Sequence, residues 1–485
     1  MPYSKFSLMP KLRLREGDCL LLPYLDSEKA MYVKSALPKE IQKIAHSPKD
    51  AGGNLTLWRG KSGGRDLLVR SVRLDAKYSD SHRELKKAVA ATVATAAKEG
   101  CRRLVVLLNT QHSDWLLDVH EAAWLGAYSF DRYLSKKAKP IPIVATGLNA
   151  TGALGRLLRE REVIFEATNI ARDLMNEPSN VKNPVTLAKE YERWARKSGL
   201  RVKVWDDRRL VREGCGGLLG VGMGAKAKPR MVIAEYAPRG ARKHLCLVGK
   251  GVTYDTGGYG LKSAASQIGM KYDMGGSATM FGAATAIARL RLPLRVTVIT
   301  PLAENDISGE AIHTTAVLTT RSGKTIEVEH TDAEGRIILA DALTLAGERK
   351  PDWIIDAATL TGACVVALGE EIAGVFGTDP KFTQSLIAAG QAEGELFWEL
   401  PLHLPHSEKI KTTIADVKNR GDAWGGAVTA AVFLKQWVAD DARWVHIDMA
   451  GPGCKEAALD HLGKGAKGFG VKTLVRLARI LSTGK

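Results

Sequence analysis

One heptapeptide constrains this chain more than any other feature: His330-Thr331-Asp332-Ala333-Glu334-Gly335-Arg336 sets two carboxylates and a guanidinium in a single turn. Before it, Thr325 to Glu329 alternates as a strand does; after it, Ile337 to Ala346 reads as a buried helix. A strand, turn and helix in this order belong to an α/β fold. They put the carboxylates at a strand's carboxyl end, where open α/β sheets hold their ligands. The turn therefore reads as a site rather than a solvated face.

A second acidic stretch lies upstream. The apolar strand Leu245 to Gly249 runs into Lys250-Gly-Val-Thr-Tyr-Asp255-Thr-Gly-Gly258, followed by Lys262 and by Lys271-Tyr-Asp273-Met-Gly-Gly276. Asp255 and Asp273 flank Lys262, beside glycines that let backbone approach a ligand closely. Carboxylates crowded together repel and raise one another's pKa, and bound divalent metals remove that penalty.

These strings resemble those of the leucyl (cytosol) aminopeptidases. The resemblance is carried by Lys250, Asp255, Lys262, Asp273, Asp332, Glu334 and Arg336 in the strings quoted. It extends through Asn176-Glu-Pro-Ser-Asn180, Gly217 to Gly222, Asp356 to Gly362, Asp416-Val-Lys-Asn419 and Gly465 to Gly468, in that order, over about residues 160 to 485.

The resemblance implies a two-metal exopeptidase that releases amino-terminal residues through a bridging hydroxide. By it, Asp255 and Glu334 bridge both metals, Asp273 and the Lys250 amine complete one site, and Asp332 completes the other. Lys262 stabilises the oxyanion, and Arg336 holds a bicarbonate that shuttles the proton. The implied ions are Zn²⁺ or Mn²⁺, with Mg²⁺ or Co²⁺ as further candidates. Met270, Thr359, Gly362, Gly451 and Cys454 fall where the family lines its first side-chain pocket, an apolar lining that suits Leu-like or Met-like residues. His330 stands where the family usually has Asn; it is read as pocket wall rather than ligand, because four carboxylates already supply hard oxygen donors. A homo-hexamer is implied as well.

Composition bounds the alternatives. A chain of 485 residues with 45% hydrophobic content implies two or three domains with sizeable cores. No apolar run approaches the ~18 residues of a membrane span, so a cytoplasmic protein without a membrane partner is expected. Six scattered cysteines without a Cys-x-x-Cys pair argue for a reducing compartment. Residues 1–150 hold 25 Lys/Arg against 15 Asp/Glu, which is +10 of the total +17. That basic segment motivates a rival reading, a nucleic-acid-binding regulator on a peptidase scaffold, with or without catalysis.

The expected fold is a smaller amino-terminal α/β domain, residues 1–150, a connecting helix, 151–175, and a larger catalytic α/β domain, 176–485. The first has helices over Arg83 to Lys98 and Trp115 to Leu134 and strands at Cys101 to Leu108 and Pro142 to Ala145. The second has a mixed sheet covered by helices on both faces. Its strands are expected at Lys203–Trp205, Met231–Tyr236, Leu245–Val248, Arg295–Ile299, Trp353–Ile355 and Trp444–Ile447. Gly463-Lys-Gly-Ala-Lys-Gly468 spells a dinucleotide pattern but follows no apolar strand, and no P-loop, Gly-x-Ser-x-Gly or His-Glu-x-x-His string is present.

Overall fold

The computed structural model describes residues 5–9, 11–25, 41, 55–62, 65–74, 81–108, 114–137, 139–148, 152–453 and 461–483. Two compact units result: Met1–Glu166 with Ala457–Lys464, and Ala167–Glu456 with Gly465–Lys485. The helix Gly152–Asn176 contains the division between them.

The first unit holds a six-stranded sheet of β1 (Phe6–Met9), β2 (Asp18–Leu25), β3 (Leu55–Ser62), β4 (Arg65–Leu74), β5 (Arg103–Leu107) and β6 (Ile143–Thr146), ordered β1-β6-β5-β2-β4-β3. Among the described strands only the β3–β4 pair is antiparallel. Alternation along β2 sends Cys19 and Leu21 into one core, with Leu85 and Val89 of the helix Ser81–Lys98, and Leu20 and Leu22 into the other, with Val69 and Val105. Burial on both faces is what a largely parallel sheet requires. The expected helix from Trp115 to Leu134 is shorter: it runs to Glu121, passes through a π-turn over Ala122–Gly126 and stops. Gly126 lies so close to Ala90 that a Cβ there would sit 2.8 Å from that residue's own, and Tyr133 and Leu134 beyond it are exposed.

In the second unit the strands are β7 (Arg201–Trp205), β8 (Arg230–Tyr236), β9 (His244–Gly249), β10 (Gly251–Asp255), β11 (Arg295–Asn305), β12 (Val317–Thr319), β13 (Thr325–Glu327), β14 (Trp353–Ala358), β15 (Ile372–Gly377), β16 (Leu396–Glu399), β17 (Val417–Lys418) and β18 (Trp444–Asp448). The main sheet runs β16-β15-β18-β14-β9-β11-β8-β7, with β10 beside β11, and mixes parallel with antiparallel pairs. The helices Glu334–Glu348 and Gly426–Lys435 contribute Ile338, Leu343, Phe433 and Leu434 to one core cluster with the sheet residues Cys246, Val248 and Ile354. Tyr191 of the helix Pro184–Lys197 stacks on Phe281 of the helix Gly275–Arg289, ring centroids 4.4 Å apart.

The sequence reads Thr325 to Glu329 as a strand with the carboxylates beyond its carboxyl end, and a strand is there, though shorter and outside the main sheet. β13 belongs to a separate three-stranded sheet, β12-β13-β17, and ends at Glu327. The helix starts earlier than the apolar pattern suggests, at Glu334, so Glu334 and Arg336 lie in its first turn.

Close backbone approach fixes where β9 meets the helix Gly275–Arg289. A Cβ on Gly276 would lie 2.0 Å from the Ala357 carbonyl oxygen, and one on Gly249 would lie 2.5 Å from the Ser277 Cα. The Ala357 oxygen cannot retreat, because it accepts the Lys250 N–H at 3.0 Å. Gly276→Ala is therefore expected to cost about 1–3 kcal/mol of stability through overpacking. Gly347→Ala, with nothing within 4 Å of the added methyl, should leave stability unchanged or raise it. Thermal melts of the two variants beside the parent check this, and equal melting temperatures would refute the packing argument.

Candidate active site

Four segments converge. β9 ends at Gly249 and Lys250 follows it, and β10 carries Asp255 alongside Asn305 of β11 after a register shift between Val252 and Asp255. A turn through Gly257 (φ +89°) and Gly258 (φ +59°) leads to Lys262. A 3₁₀ turn, Met270–Tyr272, delivers Asp273, and the loop from Val328 delivers Asp332 and Glu334. Gly257 comes so near this loop that a Cβ there would lie 3.1 Å from Asp332 Oδ1. Its positive φ and that crowding both call for glycine.

Lys250, 3% exposed, places Nζ 2.8 Å from Asp273 Oδ2, 2.8 Å from Glu334 Oε1 and 3.0 Å from the Thr359 carbonyl oxygen. Lys262 Nζ lies 2.5 Å from Asp255 Oδ2 and pairs with Asp332 Oδ1. Carboxylate oxygens of Asp255, Asp273 and Glu334, all buried, lie within 4.8 Å of one another. Asp273 Oδ2 and Glu334 Oε1 are buried and accept no hydrogen bond of good geometry despite facing the ammonium.

Burial raises the Asp273 pKa to about 7, with Glu334 and Asp255 adding to the rise and Lys250 opposing it. Asp255 is also raised, by burial and then by Glu334. Glu334 goes the other way: burial opposes its ionisation, but Lys250, Lys262 and its own backbone N–H at the helix start outweigh that. Burial alone would lower Lys250, yet Asp273, Glu334 and Asp255 hold it above the usual lysine range. The cluster thus binds positive charge strongly.

Neutral side chains that the sequence reading did not assign hold these groups. Asn305 Nδ2 donates to Asp255 Oδ1 at 2.8 Å and to the Thr331 carbonyl at 3.1 Å. Thr331 Oγ1 donates to the Gly257 carbonyl and accepts the Gly260 N–H. Asn419 accepts the N–H groups of Glu329 and His330 and donates to the carbonyls of His330 and Ala333. Asn419 was visible only as part of a matching string. The pairing of Asn305 with Asp255 depends on strand register, which nothing in the local sequence announces.

Of the expected pocket residues, Thr359 joins the charged cluster directly, donating from Oγ1 to Asp273 Oδ1 at 2.7 Å. Met270 opens the 3₁₀ turn and Gly362 opens the helix Gly362–Leu368. Gly451 packs on the Gly369 carbonyl, 2.5 Å from where its Cβ would be. Cys454 lies outside the described residues. His330 Nδ1 accepts the Asp332 N–H at 3.1 Å, so the ring braces the loop that carries a carboxylate. Arg336 donates from Nη1 to the Asn419 carbonyl at 2.9 Å, while its Nε is buried without a partner. Burial lowers its pKa to about 10, which still leaves it a cation at neutral pH.

The profile of the cytosol aminopeptidase family, catalytic domain, matches residues 169–475. The chain belongs to that family. It is an aminopeptidase, a peptide hydrolase. Among curated relatives, a probable cytosol aminopeptidase of Leifsonia xyli is 40% identical over 444 residues, covering 87% of this chain and 89% of the relative. Another, of Picosynechococcus, is 36% identical over 476 residues, covering 95% and 96%. Among solved structures, a mutant of tomato leucine aminopeptidase superposes with a TM-score of 0.87 at 29% identity, covering 99% and 97%. The bottromycin maturation enzyme BotP in complex with Mn gives 0.84 at 33% identity, covering 96% and 100%. No helix among the described residues is long and apolar enough to cross a membrane.

One glycine tests the geometry of this site. A Cβ on Gly335 would lie 2.7 Å from Lys250 Cε and 2.8 Å from its Nζ. Gly335→Ala is expected to fold normally, because a flexible side chain can yield, but to move the amine and lower kcat/KM by roughly 10²-fold. Circular dichroism with steady-state kinetics decides; full activity would show that the amine's position is unimportant.

Proposed function

We propose that this aminopeptidase works through two divalent ions held by Asp255, Asp273, Asp332, Glu334 and Lys250. The observation that carries the reading is the buried trio Asp255, Asp273 and Glu334, whose oxygens converge within 4.8 Å beside an ammonium. The donor set fits: hard oxygens suit Mn²⁺, Mg²⁺ or Zn²⁺, and two of those oxygens lack a hydrogen bond. When bound, a pair of divalent ions supplies Lewis-acid polarisation, an activated water and an anchor for a free α-amine.

Asp255, Asp273, Glu334 and Lys250, with Asp332 beside them, are the residues that would hold the two ions. Lys250 would serve there as a neutral amine, giving up the proton it otherwise shares with Asp273 and Glu334. Lys262 donates to the oxyanion that develops on the scissile carbonyl. Arg336, always cationic at working pH, holds bicarbonate, and its partnerless Nε supports an anion beside it. Unblocked peptides with Leu-like or Met-like first residues are the substrates, and a cytoplasmic homo-hexamer is the working form.

Acetylating a substrate's amino terminus should abolish turnover, and a chelator should silence the enzyme until Mn²⁺, Zn²⁺ or Co²⁺ is returned. Equal rates on blocked and free aminoacyl-anilides would sink the exopeptidase reading.

The two lysines separate by experiment. Lys250→Ala should weaken one metal and recover part of its activity when metal is added. Lys262→Ala should retain two metals and lose roughly 10²–10³ in kcat. Metal analysis with kinetics on both variants checks the assignment, and the opposite pattern reverses it.

A further inference from the structure

Lys182 stands outside the charged cluster and is only 2% exposed. Its Nζ donates to three carbonyl oxygens: Leu174 at 3.2 Å, Met175 at 2.9 Å and Lys271 at 2.6 Å. The first two end the helix Gly152–Asn176. The third belongs to the 3₁₀ turn Met270–Tyr272, two residues before Asp273. An ammonium has three N–H donors and no acceptor, so three carbonyls saturate it, whereas a neutral amine would leave one of them unpaired. A cation at a helix carboxyl end also meets the favourable pole of the helix dipole.

Other contacts converge on the same turn. A Cβ on Gly275 would lie 2.9 Å from Met175 Cε, and one on Gly465 would lie 2.4 Å from Asn176 Oδ1 and 3.3 Å from the Tyr272 hydroxyl. Asn176 Oδ1 in turn accepts the Ala466 N–H at 3.0 Å. The turn that presents Asp273 thus rests on the segment from Leu174 to Lys182, and the Lys182 ammonium ties the two directly.

We propose that Lys182 is a positioning residue for the aminopeptidase reaction: its ammonium ties the helix end at Leu174 and Met175 to the Lys271 carbonyl and thereby fixes Asp273 for catalysis. Burial, with Lys271 next, pushes its pKa well below the usual lysine range, and Glu177 opposes that. The geometry opposes that shift: three carbonyl oxygens converging on Nζ favour the protonated amine, which alone can satisfy all three. The inference rests on reading Asp273 as a functional carboxylate.

Three variants of the full chain, each loaded with Mn²⁺, test it. Lys182→Met keeps the length and apolar stem without the charge; it is expected to fold, to lose about 10–100-fold in kcat and to bind Mn²⁺ more weakly in calorimetry, with KM changing less. Lys182→Ala removes Cγ through Nζ, so added propylammonium should restore kcat while 1-propanol, of similar size and uncharged, should not; the parent assayed in both controls for inhibition. Wild-type kcat and Mn²⁺ affinity in folded Lys182→Met would overturn the proposal, as would equal rescue by 1-propanol. Failure of both variants to fold would make Lys182 a folding residue and overturn it too. Asp273→Ala separates the underlying reading: full activity there refutes the role of Asp273, whereas an inactive Asp273→Ala beside a wild-type-like Lys182→Met refutes Lys182 alone.

Discussion

The buried pairing of Lys250 with Asp273 and Glu334 is the interaction on which the second unit's architecture depends. Taking three charges from water costs several kcal/mol per ion after relaxation, and only close opposite charge offsets it. Both contacts are 2.8 Å, and each of the three groups is less than a tenth exposed. Each comes from a different element: the point just past β9, the approach to the helix Gly275–Arg289, and the start of the helix Glu334–Glu348. Losing one partner strands the rest, so these three elements must arrive together. The four carboxylates outnumber the two ammonium groups, and that excess negative charge is what the two-metal reading uses.

The scaffold around the cluster is built so that it adds no further charge. Asn305 donates from its amide while Asn419 both donates and accepts, and between them they tie β11, the residue after β17 and the loop from Glu329 to Ala333. A carboxylate at either position would add a fifth negative group and could not donate to the carbonyls of Thr331 or His330. Glycine does the complementary work. At Gly249, Gly276 and Gly335 the missing Cβ is what lets backbone reach backbone, or backbone reach the Lys250 stem. Side-chain amides thus set the loops, and absent side chains set the distances.

This division explains what the sequence could disclose. Asp332, Glu334 and Arg336 are legible because they are close in sequence and stand out against apolar flanks. Asp255, Asp273 and the two lysines are legible because their strings resemble a family's. The main-sheet strands are legible from short apolar runs such as Leu245–Val248. What failed were inferences that need a third dimension. Apolar residues continue past Gly126 through Phe130, Tyr133 and Leu134, and the pattern reads as more helix, whereas the helix stops at Gly126, where the chain packs closely on Ala90. Thr325 to Glu329 alternates as any half-buried strand does, and nothing in it says which sheet it joins. Asn305 and Lys182 are equally silent, since each gains its meaning from a partner 50 or more residues away.

The choice between lysine and arginine follows from acceptor geometry. Lys250 and Lys182 each face three oxygens converging on one point, two carboxylates and a carbonyl for Lys250 and three carbonyls for Lys182. A compact ammonium with three rotatable donors fits such a point; a planar fork with five fixed donors would leave several unsatisfied in a buried site. Lysine can also surrender its proton, which the proposed ligand role of Lys250 would require and which arginine cannot do. Arg336 meets the opposite requirement. It must stay charged while nine-tenths buried, with one nitrogen on the Asn419 carbonyl and its face toward Phe433, whose ring centre is 5.9 Å away. Weak hydration and a stacking face make guanidinium the cation that tolerates such a place. Exchanging the residue types at these positions would keep every formal charge and lose the chemistry, because the acceptors and not the charge select the side chain.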